Sequence, residues 1–127
     1  MPVSDMDRAK DFYMLQAGFR LDVDHRAGED FRIIQLTPPG SACSITLMRN
    51  PEAAGSLQGV HLIVTDIEEA RADLAGRGTD VTGPFHFGPD GQTDGPDPQR
   101  ANYNSFLSFI DPDGNGFMVQ EVNQPVN

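Results

Sequence analysis

A histidine on a strand, the polar and soft residues that share its parity, and an aromatic, histidine-bearing segment further along are the groups here that could act on a small molecule. His61 lies in the apolar run Leu57–Val64, where alternation puts Gly59, His61 and Ile63 on one face. Gly116, Met118 and Gln120 share a face in the run Gly116–Val122, as do Ser44, Thr46 and Met48 in Ala42–Arg49. Gly59 and Gly116 leave room there. Histidine titrates near neutrality and can serve as a general base, glutamine can hydrogen-bond an amide or hydroxyl, and methionine offers an adaptable apolar surface. Gln35 joins this set if Phe31, Ile33 and Gln35 face inward, which parity alone leaves open. Each group also has an ordinary reading: His61 satisfied by a backbone carbonyl or water, Met48 and Met118 as core filler. Phe85, His86, Phe87 and Tyr103 belong to Gly83–Tyr103, a stretch rich in glycine, proline and acids and far longer than most connections. Its aromatics argue against disorder, so it reads as a lid over a pocket mouth or as a loop that Phe85 and Phe87 anchor. For catalysis the candidates are His61, His86 and Tyr103, with Gln120, Arg100 or Tyr103 to polarise a substrate. No adjacent nucleophile, carboxylate dyad or triad accompanies them.

The elements that position these residues are repeated. Val3-Ser4-Asp5-Met6-Asp7-Arg8-Ala9-Lys10 returns as Val64-Thr65-Asp66-Ile67-Glu68-Glu69-Ala70-Arg71, an offset of 64 − 3 = 61 positions. Each copy ends an apolar run with an aspartate that can cap a helix, then places acids where the helix dipole favours them. Gly18 and Gly78 stop the two helices. The spacing predicts a helix over 5–17, strands at Arg20–Asp24, Phe31–Thr37 and Ala42–Arg49, and then a second round. That round has a strand at Leu57–Val64, a helix at Asp66–Arg77, a short strand at Asp80–Thr82, and strands at Asn104–Ile110 and Gly116–Val122. The tail Asn123–Asn127 carries no structural signal. One domain over 1–127 is expected, with module one at 1–50, a linker at 51–56 and module two at 57–122. Only Met1 and Pro2 precede Val3, so the first strand is short of its counterpart. The expectation is a shortened chain, or a sheet edge that a second chain covers.

The chain has 127 residues, 38% hydrophobic, with no signal-peptide pattern and no apolar run long enough for a bilayer. A cytoplasmic domain without a membrane partner is expected. Its formal charge of −10 argues against nucleic acid, whose phosphates need basic clusters, and suits a cationic or neutral small-molecule ligand. Modules of this size bury too little surface alone, so a shared core or a homodimer is expected. The single Cys43 excludes an internal disulfide and reads as a small buried hydrophobe on a strand rather than a nucleophile.

The phrase VSDMDRAKDFY, its echo VTDIEEARADL and the ending FIDPDGNGFMVQEV resemble the vicinal oxygen chelate superfamily, also called the glyoxalase/bleomycin-resistance/dioxygenase superfamily, over nearly the whole chain. The resemblance implies an α+β fold of paired βαβββ modules, whose curved half-barrel sheets enclose a central pocket that usually holds a divalent metal. It also implies metal ligands at set places: a histidine five positions before the valine of each V-x-D phrase, and ligands on the fourth strands. Those places hold Gly59, Met118 and Thr46 here, and the remaining one falls before Met1. None is a metal ligand, and Glu121, three residues from Met118, faces the other side of its strand. No metal and no other cofactor is therefore expected. Two readings remain. One is a metal-independent protein that binds a small organic molecule or drug through His61, Met118, Gln120, Thr46, Met48, Phe85, Phe87 and Tyr103. The other is a lyase, isomerase or dioxygenase-like enzyme that uses a histidine as general base. The lack of a nucleophile or dyad favours binding.

Overall fold

The computed structural model describes residues 1–123, so residues 124–127 of the expected tail lie outside the described residues. The fold is mixed α+β, with open sheets of four and five strands. Met1–Gln58 together with Ile110–Gly116 form one compact unit; Gly59–Phe109 and the chain from Phe117 form the other.

In the first unit, β1 (Pro2–Val3), β2 (Arg20–Arg26), β3 (Arg32–Thr37) and β4 (Ile45–Arg49) build a sheet in the order β1-β4-β3-β2. The first strand has only two residues, which pair in parallel with Met48 and Arg49. Val3, Ile34, Leu36 and Leu47 are fully buried, as alternation along these strands requires. The expected helix over 5–17 splits. Asp5 caps α1 (Met6–Asp11) by accepting from the Arg8 N–H at 3.0 Å, and the chain then widens into a π-helical segment, Phe12–Gln16. The wider turn is closed by Ala17 N–H to the Phe12 carbonyl at 3.0 Å, and Phe12 and Tyr13, three and four residues after the buried Ala9, are both buried with ring centroids 5.1 Å apart. Arg32 bridges Asp7 and Asp24 at 2.8 Å each, and Lys10 also reaches Asp24 at 2.8 Å, tying α1 to β2 and β3. Hydrogen bonds from Arg32 and then Lys10 hold the Asp24 carboxyl well below the usual carboxylate range.

Cys43 corrects its expectation: it is exposed, in the turn before β4, with its N–H donated to the Ser41 hydroxyl at 2.9 Å. The strand begins three residues later than the apolar run suggests, because that serine holds the backbone in a turn.

The second unit orders its strands β5-β9-β8-β6-β7, from β5 (Val60–Val64), β6 (Thr82–Gly88), β7 (Gly91–Asp94), β8 (Phe106–Ile110) and β9 (Gly116–Glu121). Helix α2 (Ile67–Gly76) is capped by Asp66, which accepts from the N–H groups of Glu68 and Glu69. The segment Gly83–Tyr103 is not a free loop. The short strand expected at Asp80–Thr82 instead begins at Thr82 and runs to Gly88, turns at Pro89-Asp90, and returns as β7 in a hairpin pairing Phe87 with Gln92 and Phe85 with Asp94. Glycine and proline made the segment look irregular, yet Gly91, at φ +101°, sits where a tight reversal needs a left-handed residue. No described helix is long and apolar enough to cross a membrane.

Candidate functional site

One face of the second unit's sheet is buried and the other is partly open, exposed at Ile63 and Phe87 while Phe85 and Phe106 on it are buried. Phe117, Val119 and Glu121 of β9 and Leu107 and Phe109 of β8 are buried, so their neighbours in sequence must point the other way. On that open face His61 lies beside Met118, and Ile63 beside Gln120, in the parallel pairing of β5 with β9. Phe106 of β8 is directly opposite Phe85 of β6, and their rings stack at 5.6 Å. Phe87 stands edge-on to both, 6.0 Å from Phe85 and 5.6 Å from Phe106. Ile63 and Phe87 are 57% and 52% exposed, a large apolar presence for a sheet face bordered by the polar His61, Gln120 and Gln92.

Side-chain amides fix the rim. Asn104 accepts from the Phe87 N–H at 3.1 Å and donates back to its carbonyl at 3.2 Å, extending the edge of β6 as a strand would. Gln120 donates to the Tyr103 carbonyl at 3.2 Å, leaving its own carbonyl for a ligand. Tyr103 holds a left-handed conformation, φ +67°, and its side chain is half exposed.

The structure thus gathers His61, Met118, Gln120, Phe85 and Phe87 on one face, with Tyr103 at its rim. Thr46 and Met48 lie on the first unit's sheet, where Ile34, Leu36 and Leu47 are buried and Ile33, Gln35, Thr46 and Met48 take the open side. Gln35 pairs with Thr46 across the strands and donates to the Ser44 hydroxyl at 2.8 Å. His86 does not join the cluster. It has the opposite parity to Phe85 and Phe87, and its Nδ1 is 2.8 Å from the Gly95 carbonyl. Arg100 is equally unavailable to polarise a substrate, since its guanidinium is spent on Glu121, Glu68 and Asp66. The room expected at Gly116 is filled by the Gln58 side chain, which a Cβ there would meet at 2.2 Å. Asn104 and Phe106 join the site beyond the expected set; Phe106, consecutive with the buried Leu107, takes the opposite face by alternation, and nothing in the sequence marks Asn104.

The donors do not suit the divalent metal that the resemblance implies. Gly59, at the expected histidine position, precedes β5 at φ +79° with open space where a side chain would be. His61 has a thioether, not a carboxylate, as its cross-strand neighbour. Glu121 is fully buried on the opposite face and accepts from the Ile67 N–H at 2.9 Å and from Arg100. Among the described residues, no three histidine, cysteine, aspartate or glutamate side chains converge as a metal site would require.

Residues 1–119 match the Glyoxalase/Bleomycin resistance protein/Dioxygenase superfamily profile. A glyoxalase/bleomycin resistance protein from Streptomyces sp. CB03234 has a solved structure that is 33% identical, covers 95% of both chains and has a TM-score of 0.73. TnmS3, an antibiotic binding protein from the same organism, is 32% identical with a TM-score of 0.73, covering 95% of this chain and 89% of its own. An uncharacterized protein of Bacillus subtilis, YetH, is 24% identical over 122 residues, 94% of this chain and 91% of its own.

Proposed function

We propose that this chain, which belongs to the Glyoxalase/Bleomycin resistance protein/Dioxygenase superfamily, binds a small organic molecule of antibiotic type on the open face of its second sheet, without a metal. One observation carries the proposal: Phe85, Phe87 and Phe106 form an edge-and-face cluster, with Phe87 and Ile63 exposed, on the same face as His61 and Gln120. Such a face offers a planar ring system an apolar platform with polar groups at its margin, the usual composition of a small-molecule site. The likeness to TnmS3 supports an antibiotic as ligand class.

Purified protein heated with a panel of polycyclic aromatic antibiotics tests the reading, because a ligand that binds only the native state raises the melting temperature with concentration. A dose-dependent shift with the compound recovered chemically unchanged is the expected result. Conversion of the compound would return the general-base enzyme as the better account, and no shift across the panel would remove the binding reading.

We also propose that two chains associate. The two-residue β1 covers only one end of β4, and Val23, Phe31 and Met48 are exposed on the first unit at 42%, 43% and 47%. Symmetric pairing would bury these edges and side chains.

A further inference from the structure

We infer that Arg100 is a positioning residue for the proposed binding face: its clamp on Glu121, on the covered side of β9, fixes the backbone that presents Tyr103 beside Gln120 on the open side. The inference rests on the binding reading given above.

The connection from β7 to β8 holds two side-chain-bearing residues in the left-handed region, Arg100 at φ +52° and Tyr103 at φ +67°. Residues other than glycine keep such conformations only where their surroundings over-determine them. Here the surroundings converge on one residue. Arg100 donates from Nε to Glu121 Oε1 at 3.0 Å and from Nη2 to Oε2 at 2.6 Å, a bidentate fork. The backbone of the same Glu121 accepts the Tyr103 N–H and donates to the Ser105 carbonyl, both at 2.9 Å. Glu121 is fully buried and also accepts from Ile67 at 2.9 Å, so its carboxylate is anchored to the start of α2. Arg100 extends the anchor through Glu68 at 3.0 Å and Asp66 at 3.3 Å. Asp97 shapes the remaining turn by accepting from the N–H groups of Gln99 at 3.2 Å and Ala101 at 3.0 Å.

Strand parity turns this anchor into control of the opposite face. Glu121 points to the covered side, and Gln120, its neighbour in sequence, to the open side, where it donates to the Tyr103 carbonyl at 3.2 Å. Release of the guanidinium leaves Tyr103 held to β9 by its N–H on the Glu121 carbonyl and by the Gln120 amide alone, a looser tether for two left-handed residues, although neither Tyr103 nor Gln120 touches Arg100's fork. Lysine keeps the charge but cannot reproduce a planar fork.

The test uses the full chain with Arg100→Lys and Arg100→Met/Glu121→Gln, the second removing both charges so that no buried carboxylate is left unpaired. The chain has two tyrosines and no tryptophan, and Tyr13 is fully buried, so acrylamide quenching of tyrosine fluorescence reports on Tyr103. Quenching should rise in both variants while circular dichroism keeps the native signature. Nile red, a neutral planar dye, serves as the binding probe. Arg100→Met/Glu121→Gln should lose about tenfold in dye affinity, on the scale of one lost polar contact. Adding Tyr103→Ala to that variant should cost little more, because Arg100 acts through Tyr103. Unchanged quenching, or losses from Arg100 and Tyr103 that simply add, would overturn the inference. If the double variant does not fold, Arg100→Lys decides, and wild-type behaviour in both readouts overturns it. Failure of Nile red to bind the wild type counts against the binding face, while the quenching arm still judges the positioning role.

Discussion

Tyr13 and Asp111, 98 positions apart, share a buried hydrogen bond of 2.8 Å in which the phenol donates to the carboxylate. The repeat phrase and the DPDG turn are thereby parts of one polar core. Asp111 also accepts from the Asp113 and Asn115 N–H groups at 2.9 Å each and from the Asn115 amide at 2.8 Å, while Asn115 accepts from the Leu57 N–H at 3.1 Å. Burial first, and then the Asp111 charge, pushes the Tyr13 phenol far above its ordinary value, so it remains a donor throughout the accessible pH range.

Tyr13→Phe is expected to lower stability by about 1–3 kcal/mol, the cost of leaving a buried charged acceptor short of a donor. Urea unfolding should show a lower midpoint with an unchanged slope. An unchanged midpoint would mean that water replaces the phenol at no cost.

Much of this arrangement was legible in the sequence, for physical reasons that also mark where reading stopped. The aspartate caps Asp5 and Asp66 and the alternation on β5 and β9 are local signals, each fixed within a few residues, and they put His61, Met118 and Gln120 on one face. Phe12 and Tyr13 are both buried, as their three- and four-residue spacing from Ala9 anticipates, whereas no local signal marks the widening into a π-helical turn beside Tyr13's bond to position 111. The hairpin of β6 and β7 was hidden because glycine and proline are weak strand formers, and its place in the sheet, with Phe85 opposite Phe106 of β8, rests on a pairing remote in sequence. His86 and Arg100 have the chemistry of site residues, but the Gly95 carbonyl, brought near by the hairpin, and the Glu121 carboxylate, 21 residues away, claim them.

Acid should destabilise the chain, and Glu121 should account for part of the loss. Arg100's hydrogen bonds hold its carboxyl below the ordinary 4.5, with the Ile67 N–H helping against the opposing effect of burial. A depressed folded value means that the native state favours the charged form, so this stability is present above pH 4.5 and lost as pH falls through the lower folded value. Asp97, lowered chiefly by the Gln99 N–H, carries the same sign. Urea midpoints measured from pH 7 down to about pH 3 should fall less steeply in Glu121→Gln than in wild type, after allowing for its lower starting point. Parallel curves would assign the acid sensitivity elsewhere.

If ligand binding needs no metal, chelation should leave it untouched. Dialysis against EDTA is expected to change neither the melting temperature nor the affinity for an antibiotic hit, since Gly59 and Met118 offer no ligand beside His61. A loss restored by zinc, manganese, nickel or iron(II), and abolished in His61→Ala, would reinstate a metal centre.

Pairing of chains has its own measurement. Sedimentation velocity at micromolar concentration should find a dimer, and a charge placed on the exposed first-unit face by Val23→Lys or Phe31→Glu should shift the population toward monomer. A monomer for the wild type under those conditions would leave the short β1 edge to be explained without a partner.

The binding face itself is tested by three substitutions of different kind. Phe87→Ala removes a half-exposed ring that stands edge-on to both Phe85 and Phe106, and should cost a planar ligand about 1–2 kcal/mol from lost aromatic contact and burial. His61→Ala and Gln120→Ala should cost about 1–2 kcal/mol each if their polar groups meet the ligand, the range of a lost hydrogen bond. Gln120 also holds the Tyr103 carbonyl, so its effect should be partly shared with Tyr103→Ala, whereas that of His61 should be independent. Titration calorimetry with the best antibiotic hit reads all three. A catalytic His61 would behave differently: its alanine variant would lose turnover while affinity stayed nearly constant. Wild-type affinity in all three variants would place the ligand elsewhere on the chain.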